Sequence, residues 1–439
     1  MTQKNAFDIL KMGANVFLTG AAGSGKTYLL NKYISYLQQN NISVGITAST
    51  GIAATHMNGR TIHSWCGMGT KETITEEEIK DLLWKKYLRE TILSARVLII
   101  DEVSMLHAHQ LDLVNQICKA FRSNPLPFGG LQVILCGDFF QLPPVSKNGT
   151  PSHFVFESDA WEEMNIKICY LSEQFRQEDK DFLQVLNAIR NNTVTETIKH
   201  HLIKRLNQEV HISIPPIKLF THNLDVDVIN SFELSKIKQE PKTYPMTSYG
   251  IPALVKLLKK SCLAPEELIL KEGAIVMFVR NNFGKGYVNG TLGKVVGFEK
   301  ESNYPIIETA AKERIVAEPE SWTIEDDKVV KAAISQIPLR LAWAITVHKS
   351  QGMSLDAAVM DLSKSFEPGM GYVALSRVRT LAGIKLLGIN DTAYAVNEHV
   401  FSCDNNLREC SKMEEIKLEQ LGMVEVNKRQ KQYLQDMLE

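Results

Sequence analysis

The 439-residue chain lacks most of what a disulfide-stapled, zinc-built or membrane protein requires. Its seven cysteines are an odd number without any C-x-x-C pair, which argues against a disulfide framework or a zinc module and for reduced thiols in a cytosolic compartment. His107 with His109, and His200 with His201, are too isolated to suggest a metal set. No apolar run approaches the roughly 20 residues of a membrane span, and the N-terminus shows neither a signal-type apolar segment nor an Arg-rich transit pattern. Charge of one sign is missing too: Lys and Arg number 49 against 50 Asp and Glu, a net charge of -1. No bulk basic field therefore draws the protein to nucleic acid, and any such binding must come from a local groove. There is no short-period repeat and no low-complexity linker. What remains is an ordinary globular composition, long enough for about three domains.

Against that background two stretches stand out. GAAGSGKT, Gly20 to Thr27, follows the apolar run Val16-Phe17-Leu18 and precedes the helically spaced TYLLNKYISYL. A strand, a glycine-rich turn and a helix in that order let backbone N–H groups converge on phosphate oxygens at a helix N-terminus. Lys26 is then expected to reach the β and γ phosphates of a nucleoside triphosphate, and Thr27 to offer its hydroxyl to Mg²⁺. VLIIDE, Val97 to Glu102, is an apolar strand ending in two acids. Asp101 suits the Mg²⁺ shell, and Glu102 suits orienting or deprotonating the attacking water.

Apolar strands alternate with helical patterns up to about residue 175, at Val16–Leu18, Ile42–Thr47, Val97–Ile100 and Leu131–Cys136. That is the sequence form of a parallel sheet covered by helices. The polar segment Cys66 to Thr91 interrupts it, either as a small projecting insertion or as a long crossover helix with a charged face. A second alternation begins at Ile217–Phe220 and resumes at Leu355–Asp361 and Gly383–Gly388. Between them KEGAIVMFVRNN, GYVNGTLGKVVGF and VVKAAISQIPLRLAWAIT show short strands and glycine turns, as in a small β-barrel. After about residue 400 the chain reads as a charged amphipathic helix packed on the neighbouring domain.

Further motifs narrow the class. In CGDFFQLPPV, Gln141 lies just past a strand end and is suited to sensing a γ-phosphate. Phe139, Phe140, Pro143 and Pro144 offer either flat surface for base stacking or core packing. Arg176 in LSEQFRQ and Arg377 in YVALSRVR are candidate transition-state cations supplied from a second domain. TASTGIAA, TIHSW, FTHN and TVHKSQG carry hydroxyls, amides, histidines and free backbone N–H groups, the groups that fix phosphates and sugars without reading sequence.

The ordered set GAAGSGKT, ASTGIAATHMNGRTIHSW, LIIDEVSML, PFGGLQVILCGDFFQLPPV, LSEQFRQ, VNGTLGKV, TVHKSQGMSLD and YVALSRVR resembles the PIF (petite integration frequency) helicases of superfamily one, over roughly residues 1 to 390. Leu111 to Val145 is similar to that family's own signature. The resemblance implies an ATP- and Mg²⁺-dependent DNA helicase moving 5′ to 3′ on single-stranded DNA and opening forked or partial-duplex DNA, monomeric in its active form. It implies a bacterial- or phage-type minimal core in the cytoplasm. The implied fold is α/β, with two RecA-like P-loop domains. Residues 1–65 and 92–175 form the first, with a wedge at 66–91; residues 176–240 and 341–400 form the second, with an SH3-like β-barrel insertion at 241–340 and a helical tail at 401–439. By the same resemblance Gln3 reads adenine, and Gly20, Ala22, Gly23, Ser24, Gly25, Tyr28 and Gly352 line the nucleotide. Single-stranded DNA falls to Thr50, Gly51, His63, Ser64, Phe139, Pro143, Pro144, Thr221, His222, Asn223, Arg280, Asn281, Asn289, Gly290, His348, Lys349 and Ser350. Two rival readings stay open at this point: a nucleotide-gated DNA clamp or loader that does not unwind, and an NTPase acting on protein or RNA.

Overall fold

A computed structural model describes residues 1–57, 59–69, 71–144, 152–175, 179–210, 214–220, 226–326 and 329–438, without the side chains of residues 55, 56, 261, 283, 325 and 326. The chain divides into two compact units, Met1–Phe175 with Glu398–Glu439, and Arg176–Asn397.

The first unit is built on a six-stranded sheet of β1 (Val16–Gly20), β2 (Val44–Ala48), β3 (Arg60–Thr61), β4 (Val97–Asp101), β5 (Gln132–Cys136) and β6 (Lys167–Leu171), in the order β3-β2-β4-β5-β1-β6. Every pairing is parallel. β1, β4 and β5 are buried along their whole length, which is why they read as unbroken apolar runs: a sheet covered on both faces has no solvent side to alternate with. The register sets Leu18 beside Cys136 and Ala48 beside Asp101. The phosphate loop, the Asp-Glu pair and the GDFFQ stretch therefore leave the sheet at one edge, the carboxyl end where open α/β sheets bind ligands.

Helix α1 (Gln3–Lys11) is capped by Thr2, whose hydroxyl accepts the Asn5 N–H at 3.2 Å. Helix α2 (Lys26–Gln39) buries Leu29, Leu30, Tyr33, Ile34 and Leu37, a single apolar stripe facing the sheet. The polar segment after Cys66 contains two helices, Glu76–Leu83 and Lys86–Ser94, and no strand among its described residues. Leu82, Leu88 and Ile92 turn inward, while Trp84 between them is 88% exposed. In the family-signature region, Arg122 donates to the carbonyls of Gly129 (2.8 Å) and Ala95 (3.0 Å), and the Phe128 N–H donates to Asn115 Oδ1 at 2.7 Å. These bonds fasten the first half of the signature as scaffold, ahead of β5 and the GDFFQ stretch that follows it.

The second unit holds a four-stranded parallel sheet in the order Ala344–Thr346, Ile217–Phe220, Ala358–Leu362, Ile384–Ile389. Two such sheets in one chain are the two-RecA-like architecture that the resemblance implies. Among the described residues between Phe220 and Ala344 every strand pairing is antiparallel, and the same stretch holds two α-helices, Val226–Ser235 and Pro252–Ser261. Five of the strands form a sheet around Val276, Phe278, Val295, Ile307 and Leu339, all fully buried. Ala344–Thr346, which strand pattern alone groups with the β-rich stretch and the resemblance assigns to the second RecA-like domain, joins the parallel sheet.

The tail is helical from Glu398 to Leu438, broken at Gly422 (φ 69°, ψ 155°). It groups with the first unit. Among the described residues no helix is long and apolar enough to cross a membrane.

Candidate nucleotide and nucleic-acid site

The phosphate loop turns on glycines that only glycine accommodates comfortably. Gly23 (φ 85°) and Gly25 (φ 84°) are left-handed, and a Cβ on Gly25 would lie 2.1 Å from the Gln3 side-chain nitrogen. Gly20 is equally confined: its Cβ would meet the Leu171 carbonyl at 2.7 Å and Ser24 Oγ at 2.8 Å. Gly25 is also the N-cap of α2 and offers no side chain, so the first-turn N–H groups face the loop. Lys26 Nζ donates to the carbonyls of Gly20 (2.8 Å) and Ala21 (3.1 Å). Gln3 Nε2 donates to the Ser24 carbonyl at 3.4 Å, placing the expected adenine-reading residue directly over the loop. Ala22 is buried, Thr27 is exposed and Tyr28 is 66% exposed.

The chain's own groups fit a magnesium-bound triphosphate here. Ser24 Oγ is buried with no protein partner, the glycines leave a cradle that side chains would fill, and a cation already sits in the loop. Asp101 is buried at the end of β4; burial raises its pKa, opposed by hydrogen bonds with Cys136 and the Glu102 N–H and by the Lys26 charge. A divalent cation would restore the ionised form that burial disfavours.

Glu102 adopts φ 53°, ψ 43°, a conformation that a non-glycine residue holds only when its surroundings impose it. Those surroundings come from TASTG. Ser49 Oγ donates to the Glu102 carbonyl at 2.6 Å, the Ser49 N–H to the Asp101 carbonyl at 3.0 Å, and Thr47 Oγ1 to the Ile99 carbonyl at 2.6 Å. The sequence pattern assigns this stretch to DNA; in the structure Ser49 instead fastens the backbone of Glu102. Ser104, two residues after Glu102 in DEVSM, is buried with no protein partner for its hydroxyl. Gln141 is buried, and its side-chain amide donates to Asp138 Oδ2 at 3.4 Å.

The expected DNA contacts divide. Thr50 is half-buried, and its hydroxyl accepts the Ala53 N–H at 3.3 Å, capping the helix that begins at Gly51. Ser64 donates its N–H to Thr61 Oγ1 at 3.3 Å. Burial lowers the pKa of His63 beside it, partly offset by a hydrogen bond with Gln110. In the second unit, the Asn289 N–H donates to Asn281 Oδ1 at 2.8 Å, bringing two expected contact segments together. Arg280 lies over the Trp322 ring at 5.3 Å and donates to the Ser321 carbonyl. Gly290 (φ 95°) packs where a Cβ would meet the Ser354 carbonyl at 2.9 Å. His348 and Lys349 are half-buried; burial lowers the His348 pKa. Gly352 is exposed and left-handed (φ 77°).

Phe139, Pro143, Pro144 and Ser350, expected as DNA contacts, are instead buried. Phe139 is 4% exposed and sits among Phe17 (4.9 Å), Phe156 (4.9 Å), Phe154 (5.8 Å) and Trp161 (6.4 Å), so its ring is core and not a stacking platform. Ser350 is fully buried, its hydroxyl donating inward to the Val347 carbonyl at 2.7 Å. Pro143 and Pro144 are buried too. Arg377 is 1% exposed and lies just past the helix Met370–Leu375, donating back to the Val373 carbonyl (3.0 Å) and to Ser376 Oγ (2.9 Å). Arg176, Thr221, His222 and Asn223 lie outside the described residues.

Residues 1–200 match the family model of PIF1-like helicase, and residues 254–298 that of DNA helicase Pif1, 2B domain. The ATP-dependent DNA helicase Pif1 of Psychrobacter sp. is 45% identical over 94% of this chain and 71% of its own length. The chain belongs to the PIF1-like helicase family. Among solved structures, this PIF1-like chain is similar to Bacteroides sp. Pif1 in complex with ADP-AlF4 (TM-score 0.79, 32% identity, 93% of this chain and 96% of that one). It is also similar to the structure describing DNA unwinding at forked duplex DNA by two coordinating Pif1 helicases (TM-score 0.63, 32% identity, 93% and 96%). It spans 61% to 62% of the length of its vertebrate relatives from Xenopus laevis, Danio rerio and Homo sapiens.

Proposed function

We propose that this chain hydrolyses ATP to translocate 5′ to 3′ along single-stranded DNA and to open forked or partial-duplex DNA. The observation that carries the reading is the convergence, at one edge of the first sheet, of the glycine loop with Lys26, Ser24 and Gln3 and of the imposed Asp101-Glu102 turn. Lys26 and the α2 N-terminus hold the phosphates. Thr27 and Asp101 would hold Mg²⁺, which when bound neutralises phosphate charge. Glu102 orients the attacking water, Gln141 reports the γ-phosphate, and Arg377 or Arg176 supplies transition-state charge from the second α/β unit.

Residues 66–91 serve as the wedge at the junction, and 241–340 as the SH3-like insertion. The relative's forked-DNA structure and the family membership support DNA as the track; the polarity rests on the family alone. A single chain turns over ATP, so turnover per molecule is independent of protein concentration. Fork unwinding with a 5′ or a 3′ single-stranded tail, with and without ATP, tests the proposal. Strand separation only with ATP and a 5′ tail supports it; nucleotide-dependent DNA binding without unwinding supports a clamp instead.

A further inference from the structure

The tail after residue 398 carries none of the nucleotide or DNA chemistry, yet it makes specific polar contacts with the helix that bears Gln3. Gln430 is 8% exposed, and its amide donates to the Asp8 carbonyl (3.2 Å) and carboxylate (3.1 Å) on α1. One turn earlier on α1, Asn5 Nδ2 donates to Glu415 Oε1 at 2.9 Å. The Tyr433 ring lies so closely on Gly13, just past the end of α1, that a Cβ there would be 2.3 Å from it. Leu418, Leu434 and Met437 add apolar contact to the cluster that includes Ile9 and Leu10.

The Tyr433 hydroxyl then reaches a buried hub. Gln132, 5% exposed at the start of β5, donates its amide to the carbonyls of Leu10 (3.0 Å) and Ala14 (2.8 Å) at the C-terminal end of α1. Its Oε1 lies 3.1 Å from the Tyr433 hydroxyl and 2.9 Å from that of Tyr33 on α2. One glutamine thus joins the tail, α1 and the helix whose first residues are Lys26 and Thr27. Partly satisfied networks of this kind are costly, so each member fixes the positions of the others.

We infer that the C-terminal helix is a positioning element of the nucleotide site: Gln430 and Tyr433 hold α1, and with it the Gln3 amide over Gly25, so that the base is read. The inference rests on Gln3 as the adenine-reading residue. Loss of one such hydrogen bond weakens the held geometry by about 2- to 10-fold in affinity.

The test uses the full chain and fluorescent mant-ATP and mant-GTP. Tyr433→Phe, which keeps the ring and removes only the hydroxyl, and Gln430→Ala are each expected to weaken mant-ATP binding about 2- to 10-fold while mant-GTP binding changes little. On a Gln3→Ala background neither is expected to add anything. Equal weakening for both nucleotides, additive loss beyond Gln3→Ala, unchanged affinity, or a parent protein that binds both nucleotides alike overturns the inference. A lower melting temperature accompanied by equal loss for both nucleotides likewise overturns it, since that is the signature of a merely structural helix. DNA-stimulated hydrolysis by the parent, measured separately, tests the helicase reading without reference to the tail.

Discussion

Lys26 Nζ donates to the Gly20 carbonyl at 2.8 Å, so the cation that a triphosphate requires is already held within the loop by the loop's own backbone. Lys26→Ala is expected to abolish both nucleotide binding and hydrolysis, because the glycine cradle keeps its shape but loses its fixed charge. Glu102→Gln leaves that charge in place. It is expected to bind ATP as the parent does and to slow DNA-stimulated hydrolysis by about 10²- to 10⁴-fold, the contribution of a positioned acid or base. Nucleotide binding beside phosphate release measures both. Near-parent turnover by Glu102→Gln would remove that residue from the reaction.

Arg377 poses a different question, because its guanidinium is buried and bonded back to Val373 and Ser376 at the end of the preceding helix. If it supplies transition-state charge, Arg377→Lys is expected to fold, to bind single-stranded DNA normally without nucleotide, and to lose about 10³- to 10⁵-fold in DNA-stimulated hydrolysis. Hydrolysis that survives while the melting temperature falls makes Arg377 a structural residue, and Arg176 becomes the next to replace.

Phe139 gives a stability prediction. Its ring fills space between Phe17, Phe154, Phe156 and Trp161, so Phe139→Ala is expected to cost about 3–5 kcal/mol in denaturant unfolding of the first unit, and Phe139→Leu clearly less. Single-stranded DNA affinity, measured where both variants are folded, is expected to be unchanged. A weakened affinity in the folded Leu variant would return Phe139 to the DNA surface.

Trp84 separates moving from unwinding. It is 88% exposed between two short helices whose Leu82 and Leu88 are buried, so Trp84→Ala removes surface and no core. Stability is expected to change by no more than about 0.5 kcal/mol. Single-strand-stimulated ATPase and streptavidin displacement are expected to match the parent while fork unwinding falls several-fold. Replacing Gly69 to Lys80 with a flexible loop is a less discriminating change, because it removes the capping box at Thr75 and Glu78 that starts the first helix. Equal loss in both assays would mean the segment does not act at the junction.

Much of the first sheet could be read directly. β1, β4 and β5 are apolar along their length because both faces are covered, and such runs announce themselves. The two-residue β3, the half-polar Lys167–Leu171 and Ala344–Thr346 were not legible, since strands that short are defined by the neighbour they pair with. Lys26, Asp101 and Glu102 were legible as candidates because they stand at a helix start and a strand end with a spacing that phosphate chemistry favours, and Gln3 only through the resemblance. Ser49 was not, because a serine that donates to a carbonyl 53 residues away looks like any turn serine.

By itself the sequence pointed to the nucleotide chemistry, since a glycine cradle, a lysine and a strand ending in two acids at fixed spacings suit a triphosphate. It also determined the α/β class, through the periodicity of its buried strands. Only tertiary structure decided that Phe139 packs inward, that Ser49 donates to the Glu102 carbonyl, and that Gln430 and Tyr433 reach across more than 400 residues to the helix bearing Gln3. Such contacts depend on which surfaces meet once the chain is closed, and no local pattern of residues encodes that meeting.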